Sequence, residues 1–206
     1  MPFLKEFIIN EKNKIKLWRV MIGELNTREL SNDEKNILKL KKSNILREQF
    51  LATRKILALE NSNYKITYDI NGKPSLNSKY NISISHSHEI AAIAISNNSK
   101  IGLDVQLKES KIFNIQHKFL NPSEKLNIGE NPSLNILTMI WTSKESIYKA
   151  IGLKGTSLSN NIIIDRVVEK DKTGIGYYIN GTEKVKFDLK FFYIDEYIIC
   201  YAYQNL

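Results

Sequence analysis

The chain has 206 residues, 42% of them hydrophobic, which is enough to build one large domain or two small ones around a core. Cys200 is the only cysteine, and no run of about 18 to 20 apolar residues occurs, so an internal disulfide and a membrane-spanning helix are excluded. The first residues carry charges at Lys5 and Glu6 and do not resemble a signal peptide. We therefore expect a cytoplasmic protein with no membrane partner.

Lysine and arginine total 30 against 22 aspartates and glutamates, a formal net charge of +8. Such a surplus attracts anionic partners over long distances, but it does not distinguish nucleic acid, a phosphorylated cofactor and an acidic protein. A lysine-rich, solvated surface without a specific partner explains the charge equally well.

The first half of the chain alternates between strand and helix patterns. A mostly apolar strand is predicted over residues 15–22, and Ser31 with Glu34 three residues later forms a capping box that starts a helix. The helical pattern continues to about Glu60, with a break near Ser43. Further strands are predicted at 64–70, 81–85, 90–96 and 100–106, and the third of these is apolar throughout, as in a strand covered on both faces.

The second half begins with helical patterns and then returns to strands. Helices are predicted at 112–120 and Leu134–Ile151, with a short turn starting at Pro122 between them. Strands are predicted near 162–168, 176–179, 185–193 and 197–203. The chain is therefore expected to be α+β, with helix and sheet in each of two subdomains, 1–107 and 108–206.

One face of the predicted helix Leu134–Ile151 carries Trp141, Glu145 and Lys149, one turn apart. On spacing alone, a glutamate and a lysine four residues apart are usually an exposed ion pair of little energetic value. The tryptophan one turn earlier indicates partial burial, and a partly buried carboxylate beside a lysine favours metal or phosphate binding.

The strand at 101–106 separates apolar from polar side chains. One face carries only apolar residues, and the other carries Gly102, Asp104 and Gln106. Two oxygen-bearing side chains beside a glycine suit a hard cation such as Mg²⁺, and aspartate is uncommon inside strands. The alternative is the end of a strand beside a polar turn.

The segment around Ser85, His86 and His88 is the other concentration of reactive residue types. No cysteine or third ligand at zinc spacing accompanies the histidines, and no G-x-S-x-G elbow accompanies the serines, so zinc and hydrolase sites are disfavoured. Serine and histidine both donate to phosphate oxygens, and Lys73, on a turn with Pro74, adds a cation. No P-loop motif is present.

Read in order, four segments resemble the signature motifs of 4'-phosphopantetheinyl transferases: Asn71-Gly72-Lys73-Pro74, Ile84-Ser85-His86-Ser87, Ile101-Gly102-Leu103-Asp104-Val105-Gln106 and Trp141-Thr142-Ser143-Lys144-Glu145-Ser146-Ile147-Tyr148-Lys149. Phe50-Leu51-Ala52-Thr53-Arg54 resembles the family's arginine-bearing helix. The resemblance covers about residues 30–160 and is greatest to the long, surfactin-synthetase-activating (Sfp-like) branch. It implies a monomer of two similar α/β halves, a pseudo-dimer, with the active site at their interface.

The resemblance also implies a reaction, in which the phosphopantetheine arm of CoA is transferred to a serine of an acidic apo carrier protein. Mg²⁺, or alternatively Mn²⁺, would be held by Asp104, Gln106 and Glu145. Glu145 would also be the base, Lys149 would bind the transferring phosphate, and His86 would contact the 3'-phosphate. The residues expected to bind CoA are Lys73, Pro74, Ser85, His86, Arg47, Arg54, Lys144 and Lys149.

The chain departs from the family pattern at three positions. Gln106 replaces a glutamate that many relatives carry, which removes one negative charge from the metal site. His88 replaces a common glycine, and Gln49 replaces a basic residue, so that Arg47 or Arg54 would have to supply the missing charge. Two other interpretations of the chain stay open: a catalytically silent carrier-binding module of the same fold, and a basic nucleic-acid-binding protein. The second is disfavoured because no cluster of basic residues occurs.

Overall fold

The computed structural model describes residues 3–11, 13–76, 80–97 and 99–204, and within them it contains two antiparallel sheets and five helices. The first sheet has the order β1-β2-β6-β5-β4-β3 and the second the order β7-β11-β10-β9-β8. The strands are β1 Phe3–Asn10, β2 Asn13–Arg19, β3 Ile66–Tyr68, β4 Pro74–Leu76, β5 Tyr80–Ser87, β6 Ile90–Ser96, β7 Ile101–Leu107, β8 Ile162–Val168, β9 Thr173–Asn180, β10 Glu183–Ile194 and β11 Tyr197–Tyr203. The helices are α1 Asn32–Lys39, α2 Asn44–Glu60, α3 Ile112–Phe119, α4 Pro122–Ile128 and α5 Leu134–Ile151. The predicted α+β class is confirmed.

Local sequence signals account for most helix boundaries. Ser31 and Glu34 form the predicted capping box at the start of α1, and the break near Ser43 is confirmed because its hydroxyl caps α2 by accepting from the Leu46 amide. Helix α5 spans the predicted residues and ends at Gly152, whose positive φ suits a helix C-terminus. None of the described helices has the length and apolar character of a membrane span.

Three elements were not predicted: strand β1, helix α4, and strand β4, which begins at Pro74 in the predicted turn. Strand β1 pairs with β2 at the edge of the first sheet, and its exposed charged residues weaken the alternation of apolar and polar positions. Helix α4 begins where the sequence indicated only a turn at Pro122, because Asn121 and Glu124 form a second capping box.

The chain passes from one sheet to the other between β6 and β7. Strand β7 pairs with β11 along its whole length, so it completes the second sheet although it follows the first sheet in sequence. A division of the chain by sheet membership therefore falls between Ser96 and Ile101. The division into 1–107 and 108–206 stays a prediction.

Serine side chains join the two sheets. The hydroxyls of three alternate serines on β5 accept hydrogen bonds from three alternate backbone amides on β7, at 2.8, 3.1 and 3.2 Å: Ser83 from Leu103, Ser85 from Val105 and Ser87 from Leu107. Since the sequence offset is the same for each pair, the two strands run side by side in the same direction. The run of serines in β5 therefore fixes the register between the sheets.

Helix α5 packs directly against β7 because Gly102 has no side chain. A Cβ atom added at Gly102 would lie 1.8 Å from the backbone oxygen of Ser146. This close approach brings one face of α5, which carries Trp141, Glu145 and Lys149, beside the polar face of β7. We call it the outer face of α5. The apolar cores of the molecule lie between α5 and the second sheet, between the two sheets, and between α2 and the first sheet.

Candidate active site

Asp104, Ser85 and Lys149 form the centre of the site, one from each of β7, β5 and α5. The Asp104 side chain is almost buried, with the residue only 6% exposed, and its Oδ1 accepts from the Lys149 ammonium at 2.7 Å and the Ser85 hydroxyl at 2.9 Å. Lys149 also donates to the Ser85 Oγ at 3.0 Å. Ser85, predicted to bind phosphate, therefore holds Asp104 and Lys149 in place, since its hydroxyl already has three partners.

Asp104, Ser85 and Lys149 line a cavity of about 390 Å³. Glu145, one helical turn before Lys149, lines the same cavity. Desolvation and the nearby Asp104 carboxylate raise the pKa of Glu145 to about 7, against the opposing effect of Lys149. Trp141 also lines the cavity, and its ring packs edge-on against Phe119 at 5.1 Å. Two carboxylates therefore share one partly desolvated space, which favours a proton or a cation there.

Gln106 completes the oxygen-bearing residues of this cavity. Its amide nitrogen donates to the Leu107 carbonyl at 3.2 Å, so the amide oxygen is the atom with which Gln106 could bind a cation. No group of three histidine, cysteine, aspartate or glutamate side chains suited to a metal occurs in the described part of the chain. Two carboxylates and an amide oxygen suit a hard cation whose remaining ligands come from substrate and water, and a cation would relieve the repulsion that raises the pKa of Glu145.

A second cavity of about 420 Å³ continues from the first and lies between α2, the β4–β5 segment and the end of α5. We call it the cationic groove. It shares Ile84, His86 and Lys149 with the first cavity. Its cationic residues are Lys41, Arg54, Lys73 and Lys149, so the two cavities form one surface suited to a ligand with several negative charges.

Lys73 lines the groove but is also bonded to the end of α5. Its ammonium donates to the Ala150 carbonyl, and its stem packs against Gly152, where an added Cβ would lie 2.5 Å from Lys73 Cδ. Burial, and then the positive charge of Lys100, lower the pKa of Lys73. Pro74 lies beside Lys73 in the groove wall.

The two arginines predicted to bind CoA differ in position. The Arg54 guanidinium stacks on the Phe50 ring at 3.7 Å, donates to the Tyr68 hydroxyl at 3.0 Å and lines the groove. Arg47 donates to the Leu38 carbonyl at the end of α1, at 3.2 Å, and is not part of the groove wall. Arg54 is therefore the arginine that the fold brings to the groove.

The prediction that Lys144 binds the cofactor is wrong. Lys144 is fully buried on the opposite side of α5, where its ammonium pairs with Glu124 at 2.8 Å. Its two other hydrogen bonds go to the carbonyls of Leu158 and Ile162 at 2.8 and 2.5 Å. With three partners for three N–H groups, Lys144 has no donor left for a ligand.

His86 is an exposed side chain that lines both cavities. The walls of the two cavities remove part of the hydration of His86, and this desolvation lowers its pKa. The positive charges of Lys149 and Lys41 lower the pKa further. Lys41 and Tyr148 also line the groove, and neither was predicted from the sequence to do so. The signal for Tyr148 was its place next to Lys149, whereas Lys41 lies in the short connection between α1 and α2 and carries no motif.

Comparison with known proteins adds a family to this geometry. A sequence model described as the 4'-phosphopantetheinyl transferase superfamily matches residues 100–202, which is half of the chain. The chain belongs to this superfamily. It is also 30% identical over 115 residues to a protein of Aneurinibacillus migulanus named 4'-phosphopantetheinyl transferase gsp. That match covers 54% of this chain and 48% of the relative, so the chain spans about half the length of the curated relative it matches.

The part of the chain matched by the superfamily contains one wall of the site. It includes β7 with Asp104 and Gln106, and α5 with Glu145 and Lys149. The groove residues on α2, β4 and β5 lie before the matched range. The superfamily match therefore covers the carboxylates and Lys149, and the groove residues before residue 100 lie outside the matched range.

Proposed function

We propose that the protein transfers the 4'-phosphopantetheine moiety of CoA to a serine of an apo acyl or peptidyl carrier protein and releases adenosine 3',5'-bisphosphate. The observation that carries this proposal is the assembly of Asp104, Glu145 and Lys149 at the joint of the two sheets, opening onto a cationic groove. Phosphoryl transfer needs positioning and charge neutralisation more than covalent catalysis, and this arrangement supplies both.

The proposed step forms one bond and breaks one. The carrier serine oxygen attacks the phosphorus that bears pantetheine, and the bond from that phosphorus to the oxygen of adenosine bisphosphate breaks. The serine proton passes to the Glu145 carboxylate. Glu145 is suited to this role because its carboxylate lines the same cavity as Lys149 and Asp104, where the reacting phosphate is proposed to bind.

Lys149 is suited to bind the transferring phosphate. Two of its three N–H groups donate to Asp104 and Ser85, and the third has no acceptor among the described residues. The ammonium is therefore held in position with one donor left for a phosphate oxygen. Asp104, Glu145 and Gln106 would hold Mg²⁺ or Mn²⁺, which when bound neutralises charge on the pyrophosphate.

The cationic groove is the proposed site of the adenosine bisphosphate part of CoA. Lys41, Arg54 and His86 are the candidates to contact its phosphates, and the net charge of +8 would favour docking of an acidic carrier. We also propose a monomer of two similar subdomains with the site at their interface. The separate sheets, each with its own helices, support that arrangement.

Mass spectrometry of a carrier protein tests the proposal. Incubation with CoA, Mg²⁺ and an apo carrier should add about 340 Da to the carrier, the mass expected for the transferred arm in a phosphoryl transfer of this type. Glu145→Ala should abolish the addition. Asp165→Ala, an exposed carboxylate of β8 away from the site, is the matched control and should retain it.

Two other results would contradict the proposal and favour the alternatives. Binding of carrier and CoA without any mass increase, across several acyl and peptidyl carriers, would indicate the catalytically silent module. Nucleic-acid binding that falls steeply with salt, without CoA binding, would indicate the basic nucleic-acid-binding protein.

A further inference from the structure

Gln49 of α2 is in direct contact with the turn that follows β5. The Gln49 side-chain nitrogen donates to the His88 backbone carbonyl at 2.8 Å, although 39 residues separate them. His88 has a φ of +46°, a left-handed conformation that a residue with a side chain adopts at a cost. Gln49 thus supports a strained turn at the end of β5, and this hydrogen bond fixes the orientation of its amide.

The other end of that amide has no partner. Gln49 is only 3% exposed and belongs to the wall of the cationic groove, and its Oε1 accepts no hydrogen bond from the described residues. A buried carbonyl oxygen without a donor is unfavourable, because its hydration is lost and not replaced. The position of Gln49 in a groove wall indicates that the missing donor belongs to a ligand.

The chemistry of an amide oxygen decides which part of a ligand it can meet. Phosphate oxygens are acceptors, so they cannot pair with Gln49 Oε1, and the amide nitrogen that could donate to phosphate is already bonded to His88. At this position the groove wall therefore presents an acceptor. The phosphates are left to the cations of the groove, such as Lys41 and Arg54.

Apolar residues beside Gln49 fit a nucleoside. Phe50, Ile82 and Ile84 line the same groove, and the flat faces of a purine pack well against such side chains. The nucleoside of CoA carries two neutral donors, the exocyclic amine of adenine and the 2'-hydroxyl of ribose. Both are able to satisfy an unpaired amide oxygen.

We propose that Gln49 Oε1 accepts a hydrogen bond from a neutral donor of the CoA nucleoside and makes Gln49 a specificity-determining residue of this protein. The inference rests on the proposed function and extends it to recognition of the nucleoside. It predicts that affinity depends on one N–H or O–H group of the nucleoside, apart from the phosphates.

Calorimetric titration with three nucleotides tests this and separates the two donors. The probes are adenosine 3',5'-bisphosphate, its 2'-deoxy analogue, and the purine riboside 3',5'-bisphosphate that lacks the exocyclic amine. One of the two analogues should bind the wild-type protein about tenfold more weakly or worse, because it leaves Gln49 Oε1 buried and unpaired. Loss with the deoxy analogue assigns the 2'-hydroxyl, and loss with the purine analogue assigns the amine.

Variants then connect the loss to Gln49. In Gln49→Met, which has a similar shape and no amide, the same analogue should bind within about twofold of adenosine 3',5'-bisphosphate. Glu48→Gln is the matched control: Glu48 is the adjacent buried residue, accepts from the Gly23 amide and is not part of the groove wall, so the variant should keep the wild-type preference.

The outcomes distinguish this inference from the proposed function. If the wild-type protein binds all three bisphosphates equally, the role of Gln49 is wrong, whereas transfer from CoA can still be observed. If neither CoA nor any bisphosphate binds and no transfer occurs, the proposed function has failed and this inference fails with it. The wild-type comparison needs no variant, so a misfolded Gln49→Met protein would not prevent a decision.

Discussion

The two lysines of α5, Lys144 and Lys149, are five residues apart and have opposite environments. Lys144 is fully buried in the core between α5 and the second sheet, and its three N–H groups are all used by Glu124 and two backbone carbonyls. The Lys149 side chain is 28% exposed at the cavity, and two of its N–H groups are used by Asp104 and Ser85. A lysine whose donors are all satisfied inside the protein supports the fold, and one with a donor left over is able to bind a ligand.

The carboxylates that face the two lysines differ in the same way. Glu124 accepts from the backbone amides of Asn121 and Ile164 as well as from Lys144, so its charge is distributed over several donors in a closed cluster. Glu145 makes no side-chain hydrogen bond within the described residues, and its pKa is raised to about 7. On the inner face of α5, which carries Lys144, every charge is paired or hydrogen-bonded within the protein. On the outer face, the Glu145 carboxylate and one N–H group of Lys149 are left for a substrate or a cation.

The largest effect is expected from breaking the inner cluster. Lys144→Met should lower the free energy of unfolding by about 3–5 kcal/mol, because it leaves the buried Glu124 carboxylate without its cation. Chemical denaturation measures this loss. Transfer activity per folded molecule should stay close to that of the wild type, and a fully folded variant without activity would show that Lys144 takes part in the reaction after all.

The corresponding change on the outer face should have the opposite profile. Lys149→Met should reduce the rate of transfer by about 100- to 1,000-fold, the range seen when one charge-stabilising donor is removed from an active site. The free energy of unfolding should fall by less than in Lys144→Met, since the Lys149 side chain is partly exposed and Asp104 keeps its hydrogen bond from the Ser85 hydroxyl. The two losses are measured by carrier mass spectrometry and by denaturation, and equal losses of stability in both variants would break the distinction between the faces.

The sequence predicts the outer face better than the inner one. Helical periodicity placed Trp141, Glu145 and Lys149 together, and strand alternation placed Gly102 beside Asp104, because both patterns depend on local spacing. The partners of Lys144 depend on the packing of α4 and of the segment before β8 against α5, which no local pattern specifies. The motif therefore suggested CoA binding for both lysines, and only the tertiary structure shows that Lys144 and Lys149 have different environments.

The same distinction applies to the fold. Helix α5 and strand β11 were predicted with their observed bounds, and the α1–α2 break was found from Ser43. By contrast, the pairing of β7 with β11 and the bond from Lys73 to Ala150 join residues about 80 to 100 positions apart, beyond the reach of local patterns.

A smaller effect is expected from the unsatisfied charge of Glu145. Its folded-state pKa of about 7 lies above the ordinary 4.5, so the native state binds this proton more tightly than the unfolded state does. The stabilisation from the neutral form is complete below about pH 4.5 and is lost as the pH rises through about 7. Without added metal, Glu145→Gln should therefore raise the free energy of unfolding by on the order of 2 kcal/mol at about pH 8 and change it little at about pH 4.

Denaturation curves of the two proteins at both pH values check this expectation. Added Mg²⁺ should stabilise the wild type at the higher pH more than the variant, because the variant lacks one of the two carboxylates that would hold the ion. A stability difference that does not vary with pH would contradict the assigned cause, the desolvation of a charged Glu145 beside Asp104.

The smallest effect is expected at Gln106, which lies across the cavity from Glu145. Gln106→Glu replaces an amide by a carboxylate and adds a negative charge beside Asp104 and Glu145. Mg²⁺ should then bind several-fold more tightly, about 1 kcal/mol, as expected for one additional charge at a partly exposed site. The half-saturating Mg²⁺ concentration for transfer measures this change, with Gln116→Glu, a half-buried residue of α3 outside the cavity, as the control.

This last substitution also tests whether Gln106 on β7 binds the same cation as Glu145 on the outer face of α5. A lower half-saturating Mg²⁺ concentration in Gln106→Glu, with no change in the Gln116→Glu control, would mean that the outer face of α5 and the polar face of β7 bind the same cation. An unchanged requirement would mean that Gln106 is not a metal ligand, and that Asp104 and Glu145 alone provide the oxygen ligands of the protein. In that case the amide bonded to Leu107 is part of the strand end, as the alternative interpretation of its sequence suggested.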